Sequence, residues 1–168
     1  GSTQFLTEGG NVVIDLSEEA AGHSFSKVRG SAQQYISQRP VFRLAEKAGI
    51  DLSGFAREAD QLVYVQKLYE EGDARAIAVF NEMPKYLAEF IEIVSNILRV
   101  ENVVITGRVT KGQAGLDFKN NAQKMLDIRG KNVKVYFPKA PEGIDEEVYL
   151  EVGQAVGATY YASYMMEH

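Results

Sequence analysis

An α/β fold is predicted for this chain, and three observations carry the prediction. Runs with strand character, NVVIDL at 11 to 16, VVIT at 103 to 106 and NVKVYF at 132 to 137, alternate with stretches of helical spacing. Between 73 and 98 the apolar residues Ala76, Phe80, Met83, Leu87, Phe90, Ile91, Val94 and Leu98 recur every three or four positions, the strongest periodic signal in the chain. Glycine and proline then punctuate the boundaries, so strands separated by helices are expected to pair at least partly in parallel.

Taken in order, the strand at 11 to 16 follows the Gly9-Gly10 turn, and the stretch from 21 to 31 has no clean period and reads as a loop. Helical spacing resumes over 34 to 48, with Pro40 near a helix start and Gly49 as a stop. A second helix is expected over 53 to 71, ended by Gly72, after which Asp73 N-caps the long helix because its carboxylate can accept a backbone N–H. Pro84 inside that helix is expected to kink it. The strand at 103 to 106 leads into a glycine-punctuated loop and a helix over 116 to 128. The strand at 132 to 137, the breaker cluster PKAPEGI and a final helix over 145 to 166 complete the chain.

Length and composition set the bounds. At 168 residues and 45% hydrophobic content the chain is the size of one domain with a core of its own. A net charge of −5 without any Lys/Arg cluster argues against nucleic acid and anionic lipid, which demand concentrated positive charge. The lack of cysteine excludes disulfides, thiolate nucleophiles and Cys-ligated zinc, and fits a reducing compartment. No apolar run approaches the ~20 residues of a membrane span, so the expectation is a soluble, cytoplasmic protein. Gly1-Ser2 reads as a cloning scar, and residues 3 to 168 as a single domain cut from a longer, two-lobed protein.

Few side chains stand out as carriers of chemistry. Gly107 follows a strand that is expected to be parallel, where a glycine permits positive φ and lets a ligand approach backbone N–H groups; Thr110 and Gly112 extend that loop. Arg108 either stacks on a base or pairs with a phosphate through its planar fork, or else it fills the space a nucleotide needs. His23, beside Gly22, either reaches a ligand hydroxyl or faces solvent, and Gln33 and Gln34 carry amides that suit a polyol. Asp15 at a strand end either holds magnesium through water or makes an Asx turn, and the turn is the expectation. Gly153 and Gly157 share one face of the final helix and read as a close-packing surface.

Several of these stretches together resemble the second half of the ROK sugar kinases, in the actin-like ATPase and sugar kinase superfamily. The likeness is carried by Gly22-His23 in EEAAGHSF, by GSAQQYISQRPVFRLAEKAG, by YEEGDARAIAVFNEMPKYLAEFIEIVSNILRVENVVITG and by EVGQAVGATYYASY. It implies the C-terminal lobe of an actin-like (ribonuclease H-like) fold, a mixed sheet packed with helices. Gly107, Arg108, Thr110 and Gly112 would then lie at the nucleotide, and His23 and Gln33 toward the substrate. The implied cofactors are ATP and magnesium, and the implied partners are a missing N-terminal lobe and a small-molecule sugar or acid; the oligomeric state, a homodimer or not, is left open by the sequence. No catalytic residue is implied in this chain, which alone is expected to be inactive.

The departures from the family pattern are specific. The Glu three positions before the family's His falls on Ala20, its sugar-contacting Glu falls on Gln33, its zinc cysteines are absent with Ser31 in place of one, and its adenosine-side Gly-Gly becomes Gly107-Arg108. They keep open a second reading, a non-catalytic regulatory or sensor module, and a third, an acyl-acid kinase of the same superfamily.

Overall fold

A computed structural model of the chain describes residues 9 to 22, 28 to 146 and 148 to 150. Among the described residues, five α-helices with both ends defined and two strands order as α1 (Gln33–Ile36), α2 (Arg39–Lys47), α3 (Glu58–Glu70), α4 (Ala74–Leu98), β1 (Asn102–Val104), α5 (Gly112–Ile128) and β2 (Lys134–Tyr136). The strands pair in parallel, with Asn102 opposite Lys134, Val103 opposite Val135 and Val104 opposite Tyr136. A parallel pair needs a long crossover, and α5 supplies it. Helices packed with a small parallel sheet agree with the α/β expectation.

The long helix forms where its apolar periodicity places it. Gly72, at φ +83°, ends α3, and the Asp73 carboxylate accepts the Arg75 N–H at 2.8 Å. The Arg75 guanidinium bonds to the same carboxylate and holds its pKa down at about 2. Phe80, Met83, Leu87 and Ile91 are buried along one face of α4, and Ala76 and Ala88 are fully enclosed. Small residues there let neighbouring helices approach, and Phe118, Ala122 and Leu126 of α5, Leu62 and Val65 of α3, and Val41 and Ala45 of α2 close the core. Pro84, expected to kink α4, is buried within it, and the helix continues unbroken on both sides. Glu92 anchors the far half of α4 to the turn before β2 through Arg129 and Lys131, each at 3.0 Å.

Four expectations change, and the simplest is that the helix expected over 116 to 128 already begins at Gly112, a residue the sequence pattern assigns to the preceding loop. Residues 11 to 16 do not form a strand. Their backbone meets residues 30 to 32 through Ile14 N–H to Gly30 O at 2.8 Å and Ala32 N–H to Val12 O at 2.7 Å, and among the described residues this leaves one antiparallel bridge, Val13 with Ser31. The partner segment turns into α1 at Gln33 and offers no further ladder. The helix expected over 34 to 48 is two helices, because Pro40 has no N–H for the Ile36 carbonyl and its ring crowds that carbonyl. Ser37 is extended, and its hydroxyl accepts the Arg39 N–H at 3.1 Å to start α2 afresh. The helix expected over 53 to 71 begins only at Glu58, since Asp51 accepts the Ser53 N–H in a turn of its own. Of the final helix, Glu146 and residues 148 to 150 are helical, and the rest, with Gly153 and Gly157, lies outside the described residues.

Asp15 makes the expected Asx turn, accepting the Ser17 N–H at 2.9 Å. Its other oxygen accepts the buried Tyr35 hydroxyl at 2.5 Å, and that hydroxyl in turn accepts the Ala21 N–H at 2.8 Å. Tyr35 packs at a tilt against Tyr86, ring centroids 4.6 Å apart, with the Arg43 guanidinium over its ring, so one phenol pins the irregular N-terminal segment to the helical core. The Tyr35 hydrogen bond, ahead of the one from Ser17, holds the Asp15 carboxyl below its ordinary 3.8.

Two predictions follow from this packing. Phe118→Ala, which empties a fully enclosed site, lowers the unfolding free energy by about 3–5 kcal/mol, measured by urea denaturation. Because the folded Asp15 pKa lies below the unfolded value, its contribution is complete above 3.8 and is lost as pH falls through the lower folded value. Asp15→Asn therefore flattens the acid limb of a stability-versus-pH curve, and an unchanged limb contradicts the clamp.

Candidate functional site

The carboxyl end of β1 is held open by the start of the last helix. After Ile105, whose N–H donates to Tyr136 O at 2.9 Å, the Thr106 hydroxyl and the Gly107 N–H both donate to Leu150 O, at 2.5 and 2.9 Å. Gly107 sits at φ +113° and ψ 167°, a conformation essentially reserved for glycine. A Cβ built there meets nothing within 4 Å, so the torsion alone demands glycine and the space beside the backbone is open.

The chain then makes one 3₁₀ turn, Arg108–Thr110, before α5. Thr110 is buried, and both its N–H and its hydroxyl donate to Gly107 O, at 3.0 and 2.7 Å. Gly115 makes that burial feasible, since a Cβ on it would stand 2.1 Å from the Thr110 carbonyl carbon. From α3, the Gln66 amide donates to Arg108 O at 3.1 Å and Lys111 O at 3.2 Å. The Tyr69 hydroxyl donates to Asp117 of α5 at 2.7 Å, and burial, reinforced by that carboxylate, pushes its pKa up to about 12. The turn after Gly107 is thus fastened from below and from the side.

In front of it lies a cleft of about 400 Å³. Gln33, Ser37, Gln38 and Arg39, at the joint between α1 and α2, form one wall; Glu58 and residues 106 to 109 form the rest with Ile36. Gln38 bridges the walls, its amide donating to the Glu58 carboxylate at 3.0 Å. The fold therefore brings Gln33, Gly107 and Arg108 to one cavity although 74 residues separate the first two (107 − 33). Arg108 is exposed at the rim. Thr110 lies beneath the cleft as its support, and Gly112 opens α5 beside a separate hollow of about 210 Å³ against α3. His23 lies outside the described residues. Ser31 is fully buried, with no hydrogen-bond partner for its hydroxyl among the described residues.

A larger hollow, about 540 Å³, lies at the α2 to α3 connection, where Glu46 and Asp51 are the charged side chains among the described residues that line it. Its acidity disfavours a phosphorylated ligand, so size does not decide between the two. Sequence reasoning missed Arg39, Gln38 and Glu58. Arg39 carried the one available signal, its place before Pro40 at a helix start, which says nothing about the cleft. Among the described residues no group of three or more His, Cys, Asp or Glu could hold a metal ion, and no helix is long and apolar enough to cross a membrane.

No family model matches the chain, and no curated protein matches it. The cleft is therefore read from its own geometry. Gly107→Ala is expected to cost about 1–3 kcal/mol of stability despite the open space around it, measured by chemical denaturation. A neutral substitution there contradicts the torsional requirement.

Proposed function

We propose that this chain is the nucleotide-side lobe of an actin-like, ROK-type phosphotransferase that moves a phosphoryl group from ATP to the hydroxyl of a sugar or small acid. The observation that carries the reading is the exit of β1. A glycine-only torsion with open space beside it stands on the same cleft as Gln33 and Arg108. In open parallel α/β sheets, ligands sit outside the carboxyl ends of the strands, and this cleft lies there.

The residues present fit the nucleotide. Arg108 at the rim offers a planar cation to an adenine face or to phosphate oxygens, and Gln33 on the opposite wall offers an amide to acceptor hydroxyls. ATP, when bound with magnesium, supplies the transferable phosphoryl group and the charge neutralisation its transfer needs. This chain's part is to bind and orient; in this reading a second lobe provides the base. Thr110 and Gly115 act as positioning residues that keep the Gly107 carbonyl turned inward.

One observation favours the regulatory reading instead. The Gly107 N–H already donates to Leu150 O, so the backbone donor that such a loop could turn toward a ligand is engaged. Calorimetry of magnesium-ATP binding to the wild-type chain and to Arg108→Gly separates the readings. If Arg108 holds the nucleotide, wild type binds and the glycine variant binds about tenfold more weakly. Tighter binding by the variant makes Arg108 a block and favours the sensor module, and no binding by either removes the nucleotide reading.

A further inference from the structure

The two edges of the small sheet are treated differently. Lys134 N–H donates to Glu101 O at 2.8 Å and Ile105 N–H to Tyr136 O at 2.9 Å, so Glu101, Val103 and Ile105 turn their main-chain groups toward β2. By alternation Asn102 and Val104 turn theirs to the opposite edge, where neither has a hydrogen-bond partner among the described residues. The outer edge of β2 is closed. The Gln123 amide of α5 donates to Val133 O at 3.0 Å and accepts the Val135 N–H at 2.8 Å, standing where a neighbouring strand's peptide would. Exposed strand edges are ordinarily blunted by charge, proline or a bulge, and NVVIT at 102 to 106 has none of these. Val104 is instead 60% exposed, beside Tyr136 at 47%, in a stretch rich in the β-branched residues that strands favour.

We infer that the open edge of β1 takes a third strand, that this strand runs parallel to β1, and that residues 3 to 7 of this chain supply it. The direction follows from where the chain meets the fold. A Cβ on Gly10 would stand 3.5 Å from the Gln33 Cβ, and Gln33 shares the cleft with Thr106 and Gly107, so the chain enters at the carboxyl end of β1. A Cβ on Gly9 would stand 2.9 Å from the Phe90 ring, which fixes that entry against α4. The length fits as well: the edge from 102 to 106 and the stretch TQFLT at 3 to 7 are equally long, and Glu8 alone is left to connect them to Gly9. One linking residue leaves no room for a reversal, so the added strand runs the same way as β1. TQFLT is uncharged, and adjacent Phe5 and Leu6 would place one apolar side chain on each face of the sheet. Main-chain bonds supply the affinity in such an addition, so no side-chain motif is needed. The other segments outside the described residues fit less well. Residues 23 to 27 are tied at both ends by the Gly22 to Arg29 bridge, and residues 151 to 168 belong by sequence to the final helix. The inference does not rest on the nucleotide reading.

The test is amide hydrogen exchange, followed by NMR on the full chain without nucleotide. The Val104 N–H is expected to exchange at least about tenfold more slowly than an unpaired amide. Phe5→Pro and Leu6→Pro, made separately, each remove one N–H, and successive N–H groups of a strand point to opposite edges, so one of the two strikes a bond to β1. That variant is expected to lose the Val104 protection, while Val135, held by Gln123, keeps its own and reports an intact fold. Gln123→Ala has the converse effect, releasing Val135 and sparing Val104. In wild type itself, nuclear Overhauser contacts from the Val104 amide to residues 3 to 7 are expected, which keeps the test decisive even if a proline variant unfolds. Rapid exchange at Val104 in wild type, or contacts from its amide to another segment, overturns the inference. Protection that both folded proline variants retain overturns it too, and if that protection rises with protein concentration, a second copy occupies the edge instead.

Discussion

The burial of α4 is the constraint on which the remaining structure depends. Its enclosed face, from Ala76 through Phe80, Met83 and Leu87 to Ile91, is shared by α1, α2, α3 and α5, each of which would otherwise expose an apolar stripe. Short helices gain little stability from their own hydrogen bonds, and α1 and α2, of four and nine residues, persist because a long partner covers them. The two-stranded sheet is likewise too small to stand alone: Val103 and Val135 turn inward toward the shared core, while Val104 and Tyr136 face outward. Position follows from this packing. With α4 and α5 locked together, the carboxyl end of β1 has one place to go.

That place is decided by a small set of polar contacts. The Leu150 carbonyl, taking two donors, fixes the strand exit, and the Gly107 carbonyl, taking two more from Thr110, fixes the turn after it. Between these two carbonyls Gly107 must adopt a torsion that side chains resist, and the absence of a side chain is what leaves the cleft open there. Strain and access are two sides of the same geometry. The joint between α1 and α2, broken by Pro40, then swings Gln33 and Arg39 across from it. An unbroken helix over 34 to 48 would set these residues in a different relation.

How much of this is legible in the sequence depends on the range of the interaction concerned. The helix from 73 to 98, its Asp73 cap and the Asp15 turn are local, set by spacing and by a carboxylate within reach of a nearby N–H. The need for glycine at 107 is local too. By contrast, the stretch 11 to 16 has strand character, but its bridging partner among the described residues leaves after one residue pair, which no property of NVVIDL reveals. The split at Ser37 was visible in principle through Pro40, whose missing N–H bears on the residue four before it. The cleft was half visible. Gln33 and the Gly107 turn carry residue-level signals, whereas Arg39, Gln38 and Glu58 acquire meaning only from packing between elements far apart in the chain.

Backbone amide chemical shifts, recorded by NMR as magnesium-ATP is added, test most directly whether the cleft at the β1 exit is the ligand site. Changes concentrated at Gln33, Arg39 and residues 106 to 109, with Asp51 and Ser53 unmoved, are expected if it is. Changes centred on Glu46, Asp51 and Ser53, or none at saturating nucleotide, contradict it.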